Sequence, residues 1–425
     1  MNQVLGVDPQ EFLQKLFQIA VSAADPAIVL PEHLPAAPPG KTIVIGAGKA
    51  AASMAKAVED NWKGDISGLV VTRYQHGLKL KSIEVVEAAH PVPDQMGYDV
   101  AVRMLSMVEN LSVDDLVICL ISGGASSLLT LPPESIPLSE KRNINRALLK
   151  SGASISEMNC VRKHLSLIKG GRLAAKCSPA KVVTLSISDV PGDCPSTIGS
   201  GPTVYDSSTA NDALNILKRY DISVSEKVLD WLKSPDSESL KSETDLLHNN
   251  IYQIIARPQQ SLDAAAQYCR NAGFNCIVLS DEVEGEARDV AKVHAAIARQ
   301  VAKCNQPIPA PCVILSGGET TVTVKGSGRG GRNTEFMLAL LLALKGEKRV
   351  YAIAADTDGI DGTEENAGCY LTPLSLRAAE EKGLYLPGFL EDNNGYEAFS
   401  LLNQLVVSGP TLTNVNDFRA VMILE

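Results

Sequence analysis

The sequence predicts an α/β protein with two α/β domains, the first Rossmann-like with a mainly parallel sheet, facing an interdomain cleft. Short β-rich runs alternate with longer helical patterns along the chain, and this alternation is typical of βαβ units. The length of 425 residues has room for two domains of ordinary size. We expect a Rossmann-like N-terminal domain over residues 1–240 and a second α/β domain over residues 241–425.

The first alternating series occupies the N-terminal half of the chain. Its β-rich runs predict strands joined by helical crossovers, which indicates a parallel sheet covered by helices. The predicted strands are 41–45, 68–72, 116–121 and 182–188, and the predicted helices are 49–60, 97–110 and several near 138–175. The stretch "SPDSESLKSETD" at 234–245 has almost no apolar periodicity, so we interpret it as a linker or a surface excursion.

A second alternating series follows this stretch. The predicted strands are 251–255, 275–279, 312–315 and 350–355, and the predicted helices are 259–272, 285–304 and 333–345. The apolar run "FMLALLLAL" at 336–344 is too short to cross a bilayer and indicates a buried helix. We therefore expect no membrane segment.

The composition limits the classes to which the protein can belong. With 45% hydrophobic and 21% charged residues the chain can form a substantial core, which excludes general disorder. A net charge of −10 argues against a broad nucleic-acid interface, although a local basic pocket can still bind a small anion. The cysteines are scattered without a C-x-x-C pair, and the N-terminus lacks the pattern of a secretory leader. We predict a cytoplasmic protein with reduced thiols and no nucleic-acid partner.

Loops rich in glycine or aspartate follow five of the predicted strands. In an open parallel sheet, ligands bind beyond the carboxyl ends of the strands. Glycines let the backbone approach an anion closely, and the N–H groups at a helix start supply partial positive charge. We therefore expect these loops to bind phosphate. The candidate substrate- or nucleotide-binding residues are Gly46, Gly48, Ser122, Gly123, Gly124, Ser126, Ser127, Asp189, Ser316, Gly317, Gly318, Glu319, Asn333 and Asp356.

The first of these loops, in "IVIGAGKAAASMAK", resembles a dinucleotide-binding turn. A dinucleotide site should place an acidic residue near the end of the next strand, but the strand "GLVVTR" ends at Thr72 and Arg73. Because Arg73 can accommodate a 2′-phosphate, an NADP-dependent enzyme stays an alternative. A P-loop is excluded, since G-x-x-x-x-G-K-[ST] does not occur. Lys49 at the start of a helix opposes the helix dipole, which favours an anionic partner over simple solvation.

Two further segments carry positive charge. The glycine-rich loop in "GSGRGGRNTEFMLAL" places Arg329 and Arg332 before a helix, which indicates an arginine fork for a carboxylate or a phosphoryl group. The alternative is a flexible loop with solvated arginines.

The second segment is the helix in "ISEMNCVRKHLSLIKGGRLAAK". Ser154 and Glu157 form a capping box at its start. Its basic residues either border an anionic ligand or are solvated, and its histidine is more typical of a structural residue than of a catalytic one. These basic residues are Arg162, Lys163, His164 and Lys169.

The acidic loops are candidates for metal binding. Mg²⁺ prefers oxygen ligands, and phosphoryl transfer generally needs a metal to offset charge. Asp189 and Asp193 form one candidate pair, and the loop "DTDGIDG" at 356–362 offers another set, Asp356, Asp358 and Asp361. The alternatives are that these aspartates are ordinary turn residues or that one acts as a base. The loop does not have the ligand spacing of an EF-hand.

Six motifs occur in order along nearly the whole chain, from about residue 8 onwards. They are "VIGAGKAAASMAKAVE", "ISGGASSLL", "EMNCVRKHLSLIKGGRLA", "SISDVPGDCPSTIGSGPT", "LSGGETTVTVKGSGRGGRNTEF" and "AADTDGIDGTEENAG". This ordered set closely resembles the class II glycerate kinase family, the glycerate 2-kinases. Some relatives in this family carry the older label hydroxypyruvate reductase.

The resemblance implies a two-domain protein with a C-terminal MOFRL domain and an active site between the domains. It implies that the partners are D-glycerate and ATP, and that phosphorylation of the 2-hydroxyl with Mg²⁺ gives 2-phosphoglycerate and ADP. On the matching motifs, Lys49 and Arg332 are expected to act in catalysis, while Asp189 or Asp193 is expected near the metal.

The sequence leaves two other functions open. It also leaves the oligomeric state open. An NAD(P)H-dependent hydroxypyruvate reductase is the main alternative, and a noncatalytic small-anion binding protein is the third. A homodimer is among the assemblies that the sequence leaves open.

Overall fold

The structure, a computed structural model, describes residues 7–244 and 246–425. Residues 1–6 of the expected first domain and residue 245 of the expected linker lie outside the described residues. The strands are β1 Thr42–Ala47, β2 Ser67–Arg73, β3 Ile83–Ala88, β4 Leu116–Ile121, β5 Lys181–Ile187, β6 Ile251–Ala256, β7 Asn275–Val278, β8 Gly285–Glu286, β9 Cys312–Ser316, β10 Thr320–Thr321, β11 Val350–Asp356, β12 Gly368–Leu371, β13 Leu405–Val406 and β14 Asp417–Ile423.

Helices connect and cover these strands. They are α1 Pro9–Ser22, α2 Pro26–Val29, α3 Ala51–Asn61, α4 Gln95–Met107, α5 Ala125–Leu128, α6 Leu138–Ser151, α7 Ile155–His164, α8 Arg172–Cys177, α9 Ala210–Arg219, α10 Glu226–Lys233, α11 Pro258–Asn271, α12 Ala287–Cys304, α13 Arg332–Leu344, α14 Ser375–Glu381, α15 Leu386–Glu391 and α16 Gly395–Leu401. Short 3₁₀ turns occupy Pro31–His33, Pro191–Asp193, Ile198–Ser200, Pro235–Ser237 and Ser242–Thr244.

The chain divides into two compact units. The N-terminal unit is Pro26–Ile255, and the C-terminal unit joins Ala256–Glu425 to the described residues that precede Pro26. The expected boundary between residues 240 and 241 therefore lies inside the N-terminal unit. Helix α1 belongs to the C-terminal unit because its apolar face, including Phe12, packs with residues such as Phe274, whose ring centroid is 5.0 Å from that of Phe12.

The N-terminal unit is built on a six-stranded parallel sheet. Its strand order is β3-β2-β1-β4-β5-β6, the order of a doubly wound Rossmann-type sheet. Every residue of β1 and of β4 is buried, as expected for central strands covered by helices on both faces. The prediction of an α/β fold with a Rossmann-like, parallel first sheet is confirmed. The strand order reverses between β1 and β4, so the loops after these two strands meet at the switch point of the sheet.

The C-terminal unit contains a second six-stranded sheet, of different topology. Its order is β13-β12-β11-β14-β9-β7, in which β7 and β9 pair in parallel and the other neighbouring strands pair antiparallel. The predicted buried helix is confirmed as α13, whose residues Phe336 to Leu341 are all buried. In the part of the chain that the structure describes, we find no helix that is both long and apolar enough to cross a membrane.

The serine-rich stretch after residue 233 is not a linker. It lies inside the N-terminal unit, and Ser237 is fully buried within it. The guanidinium of Arg172 donates hydrogen bonds to the carbonyl oxygens of Asp236, Ser237 and Glu238, at 3.1, 2.7 and 2.7 Å. Polar contacts with one arginine therefore hold a segment whose sequence lacks an apolar pattern, which is why the linker interpretation was wrong.

Candidate functional site

The loops after β1 and β4 are in direct contact at the switch point. The backbone N–H of Lys49 donates to the carbonyl oxygen of Gly123 at 2.8 Å, and the N–H of Ala50 donates to Ser122 Oγ at 3.0 Å. Gly48 has a φ of +136°, and a Cβ added there would overlap Ser122 Oγ. The close approach of the two loops therefore requires glycine at position 48.

Gly46 has a different role from Gly48. It lies inside β1, which extends two residues beyond the predicted strand, and a Cβ added there would overlap the carbonyl oxygen of Leu120 on β4. Close packing of two neighbouring strands accounts for this glycine.

The side chain of Lys49 is half-buried and runs past Gly124. A Cβ added at Gly124 would lie 3.4 Å from Lys49 Cγ and 2.9 Å from His90 Cδ2, so both side chains flank this glycine. Helix α3 begins two residues after Lys49, and Ala50 at its N-cap position has no side chain that can cap the helix. The position of Lys49 at a helix start is as the sequence predicts.

A cavity of about 150 Å³ lies beside Gly124, and we call it the β4 cavity. It is lined mainly by a histidine, the glycine-serine loop after β4 and three arginines, two from α6 and one from α7. The lining residues that matter for its chemistry are His90, Gly124, Ser126, Ser127, Arg142, Arg146 and Arg162. The loop that the sequence singled out thus borders a small cationic cavity.

The two serines of this loop are held by local hydrogen bonds. Ser127 Oγ donates to the carbonyl oxygen of Gly124 at 3.1 Å, and Ser126 Oγ lies 2.8 Å from Ser200 Oγ. Ser200 Oγ in turn donates to Asn159 Oδ1 at 3.1 Å. Arg162 Nη1 donates to the same oxygen at 3.4 Å, which connects the serines to the basic residues of α7.

The basic residues of α7 and of the loop after it are buried or half-buried, so the solvated alternative is wrong for this segment. Lys163 Nζ donates to Asp206 Oδ1 at 2.8 Å, and both side chains are buried. His164 is fully buried with Nδ1 2.8 Å from the carbonyl oxygen of Cys160, and burial lowers its pKa. The structural role predicted for this histidine agrees with these contacts. The capping box of Ser154 and Glu157 is confirmed.

Two lysines near Arg162 are buried and have no ion pair with a carboxylate within the described residues. Lys141 Nζ donates to the carbonyl oxygen of Leu165, and Lys169 Nζ donates to that of Gly199 at 3.5 Å. Burial, and then the positive charges of Arg162 and Arg172, lower the pKa of Lys141 to about 7. Burial, Lys141 and Arg162 lower the pKa of Lys169 well below its ordinary value. Both lysines are therefore shifted towards their neutral forms.

The aspartates proposed for metal binding lie after β5, the strand next to β4. Asp189 and Asp193 are both half-buried, and Asp193 ends the 3₁₀ turn Pro191–Asp193 with a φ of +51°. Throughout residues 7–244 and 246–425, no three His, Cys, Asp or Glu side chains form a group that could hold a metal ion. A nucleotide-bound Mg²⁺ needs only one or two carboxylates from the protein, so this pair still fits such an ion.

In the C-terminal unit, two buried carboxylates hold Arg332. Its Nε donates to Asp417 Oδ1 at 2.8 Å and its Nη2 donates to Asp356 Oδ2 at 2.6 Å. Its Nη1 lies 3.5 Å from the Oε1 of Glu319, an exposed residue. Although burial alone lowers the pKa of Arg332, Asp417 and Asp356 raise it well above the ordinary value. The two aspartates face each other across β11 and β14.

Other residues near Arg332 also donate hydrogen bonds to aspartates of this cluster. Asn333 Nδ2 donates to Asp417 Oδ1 at 2.7 Å, and Arg419 Nη2 donates to Asp417 Oδ2 at 2.6 Å. Asp361 accepts from the backbone N–H groups of Asn333 and Thr334, both at 2.9 Å. Burial raises the pKa of Asp361, although these bonds oppose the shift. Asp361 thus caps the first turn of α13.

The loop "DTDGIDG" does not gather its aspartates around a common point. Asp356 contacts Arg332, Asp361 caps α13, and Asp358 Oδ1 accepts from the backbone N–H of Ile360 at 2.9 Å. The interpretation of these aspartates as a metal-binding set is therefore wrong, and the alternative of turn residues describes Asp358 well.

The second Ser-Gly-Gly loop, after β9, is bonded internally. Ser316 Oγ lies 2.9 Å from His294 Nε2, and the N–H of Gly317 donates to the carbonyl oxygen of Ser280 at 2.8 Å. Gly318 has a φ of +98° beside the backbone of Val283. This loop resembles the loop after β4 in sequence, but the hydroxyl of its serine and one of its N–H groups contact the protein itself.

Arg329 and Arg332 do not form a fork. Arg329 is exposed, pairs with Glu364 and lies over the ring of Tyr396, with its guanidinium carbon 4.4 Å from the ring centroid. Arg332 contacts a different set of side chains, as described above. The glycine-rich loop therefore carries one surface arginine and one buried arginine.

The sequence reasoning missed several residues of both clusters. His90, Arg142 and Arg146 line the β4 cavity, and Asp417 anchors Arg332. Arg142 and Arg146 lie in an ordinary amphipathic helix and carried no signal. Asp417 starts an apolar run near the C-terminus, at the amino end of β14, and the antiparallel pairing of β14 with β11 brings it opposite Asp356 at the carboxyl end of β11.

Two family descriptions match the chain. The domain of unknown function DUF4147 matches residues 12–233, and the MOFRL family matches residues 312–417. Together they cover most of both units.

Several known proteins are similar to this chain over nearly its whole length. A protein of Agrobacterium vitis that is provisionally named hydroxypyruvate reductase is 48% identical, over 98% of this chain and 95% of its own. The D-glycerate 2-kinase of Thermotoga maritima is 38% identical, over 96% of this chain and 98% of its own. The crystal structure of the glycerate kinase of T. maritima matches with a TM-score of 0.88 at 37% identity, covering 98% of this chain and 99% of that chain.

Proposed function

The chain belongs to the class II glycerate kinase family with a C-terminal MOFRL domain, and we propose that it transfers the γ-phosphoryl group of ATP to the 2-hydroxyl of D-glycerate. The products are 2-phosphoglycerate and ADP. The observation that carries the proposal is the position of Lys49 at the switch point, beside a cavity lined by arginines. Both substrates are anions, and lysine and arginine are the side chains that bind carboxylates and phosphates.

Lys49 is proposed to stabilise the negative charge of the transferring phosphoryl group. Phosphoryl transfer needs little covalent help from a protein, so positioning and electrostatic stabilisation supply most of the catalysis. The N–H of Lys49 donates to Gly123, and its carbonyl oxygen accepts from Thr72 Oγ1 at 3.3 Å. These bonds fix the backbone from which the ammonium group extends. The dipole of α3, which begins at Ala51, adds partial positive charge near this group.

Arg332 is proposed to be the second catalytic residue. Asp417 and Asp356 occupy its Nε and Nη2, so Nη1 is the nitrogen that is available to a substrate. The present contact of Nη1 is with Glu319, whose side chain is 51% exposed, and ion pairs of this kind contribute little stability. An anionic group of a substrate can therefore replace Glu319 at small cost.

The glycine and serine residues of the loop after β4 are proposed to contact the substrates. Gly123, Gly124, Ser126 and Ser127 lie at the carboxyl end of a central strand, where ligands bind in doubly wound sheets. Gly48 is proposed to let the loop after β1 approach the loop after β4 closely.

Asp189 and Asp193 are proposed to hold the Mg²⁺ that accompanies ATP. In kinase sites Mg²⁺ is bound through one or two carboxylates and the phosphates of the nucleotide, so two half-buried aspartates beside the central strands suit it. When bound, the ion offsets the charge of the phosphates.

A hydroxypyruvate reductase is the second candidate, because the A. vitis relative carries that name. The loop after β1 bears a lysine, and β2 ends at Thr72 and Arg73 without the acidic residue that binds the ribose of NAD. Only a cofactor with a 2′-phosphate suits Arg73, so the reductase hypothesis predicts NADPH.

One pair of assays decides between the two candidates. The protein is given D-glycerate, ATP and Mg²⁺, ADP release is followed, and phosphorus NMR identifies the phosphorylated hydroxyl. In parallel it is given hydroxypyruvate with NADPH, and the absorbance of the cofactor is followed. We expect ADP and 2-phosphoglycerate in the first assay and no oxidation in the second. Oxidation of NADPH without ADP release would reverse the proposal, and thermal stabilisation by both ligands without turnover would indicate a binding protein.

We also propose a cytoplasmic location. All nine cysteines are free in the structure, and several of them are buried, as is usual in a reducing compartment. A homodimer stays a proposal that light scattering of the purified protein can test.

A further inference from the structure

We propose that the β4 cavity binds the carboxylate of the hydroxy-acid substrate, with Arg142 and Arg162 as its direct ligands. The assignment rests on the proposed kinase function, which names D-glycerate as the acceptor. It goes further, because it separates the subsite of the acid from the subsite of the nucleotide and names residues that determine specificity for the acid.

The first argument is the unbalanced charge around the cavity. Lys141 and Lys169 are buried, Arg162 is half-buried, and each of them has a carbonyl or amide oxygen as its hydrogen-bond acceptor. Within the described residues, no ion pair joins these three side chains to a carboxylate. Burial shifts both lysines towards their neutral forms, so Arg162 is the cavity-lining cation that is left without a counterion, and a ligand carboxylate would supply one.

One neighbouring lysine in the same unit is paired, which makes this contrast informative. Lys163, on the same helix as Arg162, is matched by Asp206 at 2.8 Å. Of the three buried lysines of the unit, Lys141, Lys163 and Lys169, it alone forms an ion pair with a carboxylate within the described residues.

The second argument is a donor without an acceptor in the cavity wall. Arg142 lines the cavity, and its Nε is buried without a hydrogen-bond partner in the part of the chain that the structure describes. An unsatisfied buried donor costs free energy, which a bound carboxylate would recover. Arginine is also the side chain whose geometry best matches a carboxylate.

The third argument is the size of the cavity. Its volume of about 150 Å³ is well below the roughly 300–1,000 Å³ of pockets that hold drug-sized ligands. A three-carbon acid suits this volume, whereas a nucleotide does not. Ser126 and Ser127 supply hydroxyl groups to the same wall, and the hydroxyls of a small hydroxy acid can bond to them.

The fourth argument is the position of Lys49. Its side chain and the ring of His90 flank Gly124, which belongs to the cavity wall. An acid bound in this cavity therefore lies beside a glycine that the proposed catalytic lysine also adjoins.

The test compares Arg142→Gln with Lys150→Gln in the full-length protein. Lys150 is an exposed residue of the same helix and does not line the cavity. Michaelis constants are measured for D-glycerate and for ATP, and binding of D-glycerate alone is measured by calorimetry. For Arg142→Gln we expect the Michaelis and dissociation constants for D-glycerate to rise about 10- to 100-fold, with the constant for ATP changed less than about threefold. Lys150→Gln should resemble the wild type.

A conservative variant and a neutral ligand separate charge recognition from damage to the fold. Arg142→Lys should recover part of the affinity for D-glycerate, and glycerol, which lacks the carboxylate, should bind equally weakly to the wild type and to Arg142→Gln. An unchanged constant for D-glycerate in Arg142→Gln would overturn the assignment. A rise in the constant for ATP instead would show that the cavity binds a nucleotide phosphate.

The outcome also distinguishes this inference from the proposed function. A wild-type protein that binds D-glycerate in an Arg142-dependent manner but releases no ADP would refute the kinase proposal while supporting the carboxylate subsite. Normal kinase activity of the wild type, together with a Michaelis constant for D-glycerate that does not change in Arg142→Gln, would refute the carboxylate subsite while supporting the kinase proposal.

Discussion

Arg332 is fixed at two of its three guanidinium nitrogens, by Asp417 through Nε and by Asp356 through Nη2. An arginine side chain carries about 2 kcal/mol of rotamer entropy, and the two carboxylates remove most of this freedom before any substrate binds. Because the aspartates face each other on β11 and β14, the sheet itself sets the orientation of the guanidinium. Nη1, the third nitrogen, therefore has a fixed orientation.

We expect Arg332→Lys to lower the turnover number by about 10²- to 10³-fold, as for the loss of one donor that stabilises a transition state. A lysine ammonium cannot contact both aspartates and also present a nitrogen to substrate. The measurement is steady-state ADP release, with circular dichroism to verify folding. Arg377→Lys is the matched control, because Arg377 is an exposed arginine of the same unit. Turnover of the folded Arg332→Lys protein at the wild-type rate would remove Arg332 from the mechanism.

We expect Lys49→Ala to lower turnover by about 10²- to 10³-fold while the melting temperature stays within a few degrees of the wild type. The side chain is half-buried at the cavity rim and does not belong to the apolar core. Kinase activity and thermal unfolding are measured together. Lys56→Ala on the following helix α3, whose lysine is 48% exposed and pairs with Asp60, should keep its activity. A large loss of stability in Lys49→Ala alone would indicate a structural role for Lys49 instead.

The residues of the site differ in how far the sequence could predict them. Lys49 and the serines of "SGGASS" follow strands, and strand ends are where ligands bind, so the sequence pattern was sufficient to predict that they lie together. Arg142 comes from an amphipathic helix and reaches the same place only through tertiary packing. No local pattern distinguishes such an arginine from a solvated one.

The connection between β1 and α3 is the element on which the geometry of the site depends. Its Gly48 has a positive φ, and there is no space for a side chain beside Ser122. The N–H of the next residue bonds to the loop after β4, so the two loops move as one piece.

We expect Gly48→Ala to destabilise the N-terminal unit by about 2–4 kcal/mol, the sum of an unfavourable φ and an overpacked contact. Gly152→Ala is the control, because Gly152 also has a positive φ, +77°, but has no atom within 4 Å of its added Cβ. It should lose only about 1–2 kcal/mol. Thermal and denaturant unfolding measure both variants. Equal losses would show that the contact with Ser122 is not restrictive.

At the scale of elements, the sequence predicted several central strands and also the edge strands β6 and β7, but it missed two strands that contain charged residues. The central strands β1 and β4 are nearly continuous apolar runs because helices cover both faces of the sheet. The sequence analysis missed β3, which contains two glutamates, and β14, which contains Arg419. Arg419 is fully buried in β14 because Asp417 pairs with it, and a single sequence does not reveal such a pair.

The whole molecule consists of two units whose chain segments are interleaved. Helix α1 packs in the C-terminal unit, where Ser261 Oγ donates to the carbonyl oxygen of Ala20 at 2.7 Å. Amphipathic periodicity predicts that α1 buries one face, but it does not say against which partner. We assigned the N-terminal segment to the first domain because it comes first in the sequence. In the structure it packs with residues that come much later in the chain.

We expect Phe12→Ala to cost roughly 3–5 kcal/mol and to weaken the C-terminal unit selectively. Phe12 is buried against Phe274 and Tyr268, so hydrogen exchange should accelerate in α11 and β7 and stay unchanged in β1 and β4. Met104→Ala is the mirrored control, because Met104 is buried in the core of the N-terminal unit. Equal acceleration of both units in both variants would contradict a division into separate cores.

The interleaved chain has a consequence for biosynthesis. Helix α1 is synthesised before the residues that cover its apolar face, which follow only after the whole N-terminal unit. The N-terminal unit can fold as a self-contained insert in the meantime. Until translation passes α11, the nascent chain thus carries an exposed apolar helix, a site that a chaperone for newly made proteins would recognise.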